Sequence, residues 1–249
     1  MYIKDKKIII VLPAYNAAKT LERTLHEIPP EYRDDIILVD DASTDQTVEI
    51  AQKAGLDVVK HKKNLGYGGN QKTCYLRALE MGADIVVMLH PDHQYDAKVI
   101  PDLVYPILRN EADAVFGSRM LGGNPMEGGM PYWKYFANIV LTAFANITFK
   151  RYLTEIHSGF RAYSKKYLNK VRFEENSNDF IFDTEIIAQG MACNLFFKEV
   201  PITTRYFPEA SSINIYRSIV YGIGILRVLF LYSLHKQGIL RLNFLQNKL

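Results

Sequence analysis

Five short runs rich in β-branched and other apolar residues mark the first half of the chain: Lys7 to Leu12, Asp35 to Asp41, Asp57 to His61, Asp84 to His90 and Asp113 to Ser118. Each predicts a buried strand. Between them apolar residues recur at helical spacing, as Ala18, Leu21, Leu25 and Ile28, as Val48, Ala51 and Ala54, and as Ile100, Leu103, Val104 and Ile107. Nearly continuous apolar strands alternating with amphipathic helices predict an α/β fold, a mostly parallel sheet covered on both faces. In such a sheet the ligand crevice lies at the carboxyl ends of the strands.

The second half reads differently. From Pro131 to Lys150, polar Lys134, Asn138, Thr142 and Asn146 recur every four positions against Trp133, Phe136, Ile139, Val140, Phe144 and Ile147, which predicts an amphipathic helix packed on the sheet. Ser218 to Leu234 is the longest apolar stretch, but Arg227, Gly222 and Gly224 interrupt it, so a transmembrane helix is not expected. The 249 residues are 48% hydrophobic and 23% charged, an ordinary globular composition that excludes a disordered or fibrous chain. The net charge of +3 is uneven: from Arg205 onward six basic residues face one acid, so the tail carries +5 and the preceding 204 residues −2. A basic apolar tail, with Ile219, Ile223, Leu226, Leu229, Phe230 and Leu234 beside Arg217, Arg227, Lys236 and Arg241, suits an interfacial helix on an anionic leaflet. Closure of the core or a homodimer interface is the alternative use. The five-residue apolar run after Lys4, Lys6 and Lys7 is broken by Pro13, which argues against a signal peptide. Two distant cysteines, Cys74 and Cys193, fit buried thiols in a reducing cytoplasm.

The polar residues at the strand ends carry the chemistry. Pro13-Ala14-Tyr15-Asn16, Asp40-Asp41-Ala42-Ser43-Thr44-Asp45, His90-Pro91-Asp92-His93-Gln94 and Gly117-Ser118-Arg119 are expected to converge on one crevice. Ser43 or Asp45 alone is a natural helix cap, but four polar strand ends together point to a ligand. No glycine follows the first strand, which disfavours a dinucleotide fold. Gly66-Tyr67-Gly68-Gly69 opens a helix without the Lys-Ser/Thr of a P-loop, so it is either a tight helix entry or a loop approaching a diphosphate. Asp40, Asp41 and Asp92 suit ribose, a base edge or a divalent cation. A nucleoside diphosphate with Mg2+ or Mn2+ is the expected occupant, and no nucleic acid is.

These motifs resemble family 2 glycosyltransferases of the GT-A fold: Val11-Leu12-Pro13-Ala14-Tyr15-Asn16 and then Val39-Asp40-Asp41-Ala42-Ser43-Thr44-Asp45. Gly117-Ser118-Arg119, Ser158-Gly159-Phe160-Arg161 with Ala162-Tyr163, and Glu199-Val200-Pro201-Ile202 narrow the resemblance to the dolichyl or polyprenyl-phosphate sugar synthase branch. The resemblance runs from about residue 7 to 212. It implies a Rossmann-like GT-A domain over 1–212 and a basic helical tail over 213–249. It also implies that Pro13, Tyr15, Asn16, Asp40 and Asp41 hold an NDP-sugar donor, with Gly68 and His90 beside it. Asp92 and Gln94 become metal ligands, Arg119 and Arg205 the cations near the diphosphate and acceptor phosphate, and Ser158 and Arg161 the acceptor side. Two positions depart from the family pattern: His90 stands where Asp-x-Asp would begin, and Ala17 where the branch often has Glu.

The resemblance further implies an inverting, metal-dependent transfer of a hexose to a polyprenyl phosphate or similar lipid-linked acceptor, by an enzyme on the cytoplasmic side of the membrane. Asp92, Arg119 and Asp183 are the expected catalytic residues. A sugar hydroxyl, as in a cell-surface polysaccharide transferase, needs a general base whereas a phosphate does not, and Asp183, ahead of Glu185, is the candidate. Because His90 interrupts Asp-x-Asp, a sugar-nucleotide-binding protein without turnover is the remaining alternative.

Overall fold

The computed structural model describes residues 6–122, 125–206 and 215–248. In chain order, strand β1 (Ile8–Ala14) is followed by helix α1 (Leu21–Glu27), β2 (Ile36–Asp40), α2 (Thr47–Lys53), β3 (Asp57–Lys60), α3 (Tyr67–Glu80), β4 (Ile85–Met88), α4 (Ile100–Leu108) and β5 (Ala114–Ser118). The second half supplies α5 (Tyr132–Phe149), β6 (Arg161–Ser164), α6 (Lys165–Lys170), α7 (Phe182–Ala192), β7 (Phe197–Pro201) and α8 (Ile215–Lys236). All five expected strands form, within a residue or two of their expected limits.

The sheet order is β3-β2-β1-β4-β6-β5-β7. Every pairing is parallel except that β6 runs antiparallel to both neighbours. The chain winds outward from β1 through β2 to β3 and then returns to place β4 on the other flank of β1. That reversal makes the carboxyl ends of β1 and β4 the topological switch point, where an open α/β sheet leaves a crevice.

Alternation along the strands divides the core. Ile9, Val11, Ile37, Val39, Val86 and Met88 face α3, α5, α7 and α8, whereas Ile8, Ile10, Leu12, Leu38, Ile85 and Val87 face α1, α2 and α4. The period-2 geometry of a strand sends successive side chains to opposite faces, so both must be apolar when helices cover both. Helix α8 belongs to this core: Ile225, Val228, Leu229 and Tyr232 are buried, and the Tyr232 ring meets Phe149 of α5 edge-on at 4.9 Å between centroids. The boundary expected at residue 212 lies outside the described residues.

Two expectations about helices are corrected. Helix α5 is turned inside out: its polar Asn138 and Thr142 are buried, while Phe136 and Ile147 are 68% and 75% exposed. Asn138 and Asn146 of this row find polar partners inside, whereas the buried Thr142 hydroxyl has none among the described residues. Asn146 exchanges hydrogen bonds with Leu153, Nδ2 to the carbonyl at 2.8 Å and Oδ1 from the amide at 3.0 Å, and Asn138 reaches the buried Glu155. Helix α8 in turn runs unbroken through Gly222 and Gly224. Its Arg217–Lys236 segment is long and apolar enough to cross a membrane by length and composition, with 22% of its apolar stretch buried.

Candidate active site

The ends of β1 and β2 are sewn together by their own polar residues. The Asn16 amide donates to Ser43 Oγ at 2.8 Å, and Asn16 Oδ1 accepts the Thr44 amide at 2.9 Å. Asn16 and Ala42 both take left-handed backbone, φ 52° and 63°, which turns the two strand ends toward each other. Beneath them Asn70 of α3 donates to the carbonyls of Ala14 and Val39. Pro13 sits in β1 and Tyr15 stands 56% exposed just beyond it, so both lie at the switch point.

The two aspartates at the end of β2 differ. Asp41 accepts from His61 Nδ1 at 2.7 Å and from the amides of Leu65 and Gly66 at 2.8 and 3.0 Å. It therefore anchors the 61–66 loop and retains little acceptor capacity for a ligand. Asp40 is fully buried; its Oδ2 accepts the Ser43 amide at 3.0 Å, but its Oδ1 has no hydrogen-bond partner among the described residues. An orphaned buried carboxylate oxygen is costly, and this one sits at the carboxyl end of β2, next to the switch point.

The glycine-rich turn is a helix entry. Gly66 has φ 86°, and a Cβ on Gly68 would collide with the Ser177 carbonyl and the Phe182 side chain. The Gly68 amide already donates to the Asn178 carbonyl at 2.8 Å. The expectation that Gly68 approaches the diphosphate is corrected: its donor is engaged by the 177–178 loop. What the turn positions is Tyr67, whose ring stacks on His90 at 12° and whose hydroxyl donates to Asp183 at 2.8 Å.

A cavity of about 240 Å3 opens at the carboxyl end of β4. His90, Asp92 and Gln94 from the β4 loop, Arg119 after β5, Asp183 of α7, Lys134 and Asn138 of α5, and Arg217 and Tyr221 of α8 all line it. Asp92 Oδ1 accepts the Gln94 amide at 3.1 Å, and burial holds the His90 imidazole below its ordinary pKa. Arg119 enters the cavity already paired with Glu155, through Nε to Oε1 at 2.9 Å, and its Nη1 donates to the Tyr206 hydroxyl at 2.9 Å. Glu155 is 1% exposed, and the Coulombic pull between the two overrides desolvation to keep both charged.

Three expected site residues lie elsewhere. Arg161 is 1% exposed; its guanidinium donates to the carbonyls of Ser158 at 2.6 Å and Ile156 at 2.9 Å and lies 3.4 Å from Asp183 Oδ1. Ser158 is equally buried and accepts the Phe160 amide. Both stand behind the cavity wall, where only Gly159 of that motif reaches the cavity. Arg205 pairs with Glu27 at 2.9 Å and His93 at 3.2 Å outside the cavity, although its amide, donating to the Gln94 carbonyl, fastens the β4 loop.

The sequence profile of Glycosyl transferase family 2 matches residues 9–172. The chain belongs to this family. An uncharacterized protein of Methanocaldococcus jannaschii is 33% identical over 204 residues, 82% of this chain and 84% of that one. The UDP-N-acetylglucosamine–dolichyl-phosphate N-acetylglucosaminyltransferase of Methanococcus voltae is 30% identical over 220 residues, 81% of this chain and 87% of that one. Among solved structures, glucosyl-3-phosphoglycerate synthase of Mycobacterium tuberculosis, crystallised with Mn2+, uridine diphosphate and phosphoglyceric acid, superposes with a TM-score of 0.67 at 18% identity. The match covers 92% of this chain and 79% of that one, and it establishes the GT-A fold.

In this family 2 glycosyltransferase no cluster of three or more His, Cys, Asp or Glu side chains able to enclose a metal ion occurs among the described residues. Asp92, with Gln94 and a neutral His90 beside it, fits an ion of a different kind, one that takes a single carboxylate from the protein and its remaining ligands from a substrate diphosphate and water. Sequence reasoning missed Tyr67, Lys134, Asn138, His157 and Tyr221 as cavity residues of the transferase and read Arg217 only as a membrane charge. The every-four polar row of α5 was the available signal for Lys134 and Asn138. The period alone did not place them in the cavity, because nothing in it says which side of a helix faces the protein.

Proposed function

We propose that the chain is an inverting glycosyltransferase that moves a hexose from an NDP-sugar to a polyprenyl phosphate at the cytoplasmic membrane surface. The donor nucleotide lies over Pro13, Tyr15 and Asn16, and a shift of the strand ends on binding lets the buried, orphaned Asp40 Oδ1 accept one of its donors. Asp92 and Gln94 hold a Mg2+ or Mn2+ ion that screens the diphosphate charge. Arg119, neutralised in part by Glu155, orients diphosphate oxygens, while Lys134 and Arg217 supply the remaining positive field in the cavity. An acceptor phosphate oxygen forms the new bond to the sugar C1 as the bond from C1 to the diphosphate breaks, the electron pair leaving with the nucleoside diphosphate. An anionic phosphate needs no proton removed, which agrees with an Asp183 already holding Tyr67, Gln71 and Arg161.

The observation that carries the lipid acceptor is the pair of outward apolar helices beside the cavity. Phe136, Ile139, Phe144 and Ile147 of α5 and Ile219, Ile223, Leu226 and Phe230 of α8 are exposed at helical spacing on two packed helices, neither of which contains an acidic residue. A patch of this extent with cations at its rim suits an anionic bilayer surface. The α8 face buried against α5 and α7 supports lying on the membrane over crossing it. The printed activity of the Methanococcus voltae relative, with its dolichyl-phosphate acceptor, supports the same reading.

The test is transfer of label from a panel of radiolabelled NDP-sugars, with Mn2+ or Mg2+, to polyprenyl phosphate in anionic vesicles. Label extracted into the organic phase is the expected result. Label transferred only to water or to soluble sugars overturns the reading.

A further inference from the structure

A second opening adjoins the catalytic cavity. It has a volume of about 390 Å3 and runs between α8 and the loop that leads into α7. Phe180, Ile181, Val220, Tyr221 and Gly224 form most of its wall. Phe180, Arg217 and Tyr221 line both spaces, so the two adjoin at one junction. The junction holds a guanidinium; the rest of the groove is lined by apolar Ile181, Val220 and Gly224, with Ser177 and Asp179 also on its wall.

We propose that this groove seats the first isoprene units of the acceptor, with Arg217 at the junction meeting the acceptor phosphate and the chain leaving along α8. This rests on the lipid-phosphate reading above and adds to it a route for the chain. The order of the chemistry along the groove is that of the ligand: an anion-binding side chain at the inner end, then an apolar trough. Gly224 makes the trough, because a Cβ there would stand 3.1 Å from the Ile181 side chain and a larger group would fill the space between α8 and the loop. Val220 is half exposed, and its neighbours on α8, Ile219 and Ile223, belong to the exposed row assigned to the membrane. A prenyl chain passing from the bilayer to the cavity would thus stay on apolar surface. The Asp179 at the groove wall disfavours a second anionic group there and limits the charged end of the ligand to the Arg217 junction.

The single tryptophan, Trp133, lines the catalytic cavity and reports occupancy by its fluorescence. Inorganic phosphate and prenyl phosphates of increasing chain length are titrated into the full chain and into Gly224→Leu and Val220→Phe. In the wild type, affinity is expected to rise roughly tenfold for each of the first few isoprene units, because each buries several methylene equivalents. Both variants are expected to bind the shortest phosphates as the wild type does and to lose the rise. A chain-length series in the variants superimposable on the wild type, a wild type with no length dependence, or loss of the shortest phosphates in both variants overturns the groove assignment. Failure of the acceptor reading shows separately, as absence of sugar transfer to any phosphate while the length dependence of binding persists.

Discussion

Asp183 and Arg161 form an ion pair, Oδ1 to Nη1 3.4 Å, in which Arg161 is wholly buried and Asp183 forms part of the cavity floor. Tyr67 and Gln71 complete the aspartate's environment from α3, at 2.8 and 3.1 Å. The carboxylate thus fastens α3, α7 and β6 to one another at the wall of the cavity.

Asp183→Asn separates this fastening role from that of a general base. Removing one charge of a buried pair leaves the other uncompensated and typically costs about 3–5 kcal/mol. Urea unfolding is expected to show a loss of that order. Turnover on polyprenyl phosphate, corrected for the folded fraction, is expected to stay within about tenfold of wild type, since the acceptor oxygen is already anionic. A fall of several orders of magnitude in the folded enzyme would instead mark a hydroxyl acceptor and Asp183 as its base.

Asp92→Asn is expected to abolish metal-dependent turnover while leaving unfolding unchanged within about 0.5 kcal/mol, because among the described residues the side chain makes one hydrogen bond, from the neighbouring Gln94 amide. Chelation of divalent ions is expected to reproduce the variant. Binding of nucleoside diphosphate measured calorimetrically with and without Mn2+ checks both: the metal should strengthen binding in the wild type and make no difference in the variant.

Asp40→Asn tests the orphaned oxygen. If Oδ1 accepts a donor from the nucleotide, replacing the charged acceptor should raise the donor KM by about tenfold or more, the worth of a hydrogen bond to a charged group. The acceptor KM should stay put. Equal rises in both would place the effect in the fold of the strand ends, where Asp40 Oδ2 also holds the Ser43 amide.

The pH dependence of stability has an identifiable contributor in His157. Burial, with opposing help from Glu155 and a further push from Arg119 and Arg161, drives its pKa down to about 4. A histidine lowered in the folded state is neutral there while the unfolded chain takes up a proton below about 6.5, so stability present above pH 6.5 is lost as pH falls toward 4. Unfolding free energies of wild type and His157→Gln, compared at each pH, are expected to run parallel above 6.5. Below it the wild type should lose up to about 3 kcal/mol relative to the variant. Parallel curves throughout would mean that the ring is not held neutral.

The parallel half of the sheet was legible because strands covered on both faces must be apolar throughout, and Ile8 to Leu12 or Ile36 to Val39 can hardly be anything else. The strand-end residues followed from topology. The buried place of Arg161 was not legible: in the sequence it is one more arginine, between Phe160 and Ala162, and only the antiparallel insertion of β6 between β4 and β5 carries it into the core beneath Asp183. The glycine-rich turn misled for a related reason. Gly68 is small to admit the backbone of the 177–178 loop, a partner more than a hundred residues away, and a local motif cannot reveal it.

Helix α5 supplies the sharpest test of the membrane face, because its periodicity is clear and only its direction was in question. An ordinary surface helix with Phe136 and Ile147 outward would gain solubility from acidic replacements and lose nothing in function. A membrane-facing one would lose its partner. Phe136→Glu with Ile147→Glu adds two charges to exposed positions, so folding should change little. Each charge replaces an apolar side chain whose burial in lipid is worth about 1.5–3 kcal/mol and adds repulsion from anionic headgroups. Flotation with anionic vesicles is therefore expected to fall by at least a hundredfold in partition coefficient. Turnover on a short water-soluble prenyl phosphate should be retained, and turnover on long-chain acceptor in vesicles should fall with binding. Unchanged flotation would remove α5 from the membrane face and leave α8 to account for it alone.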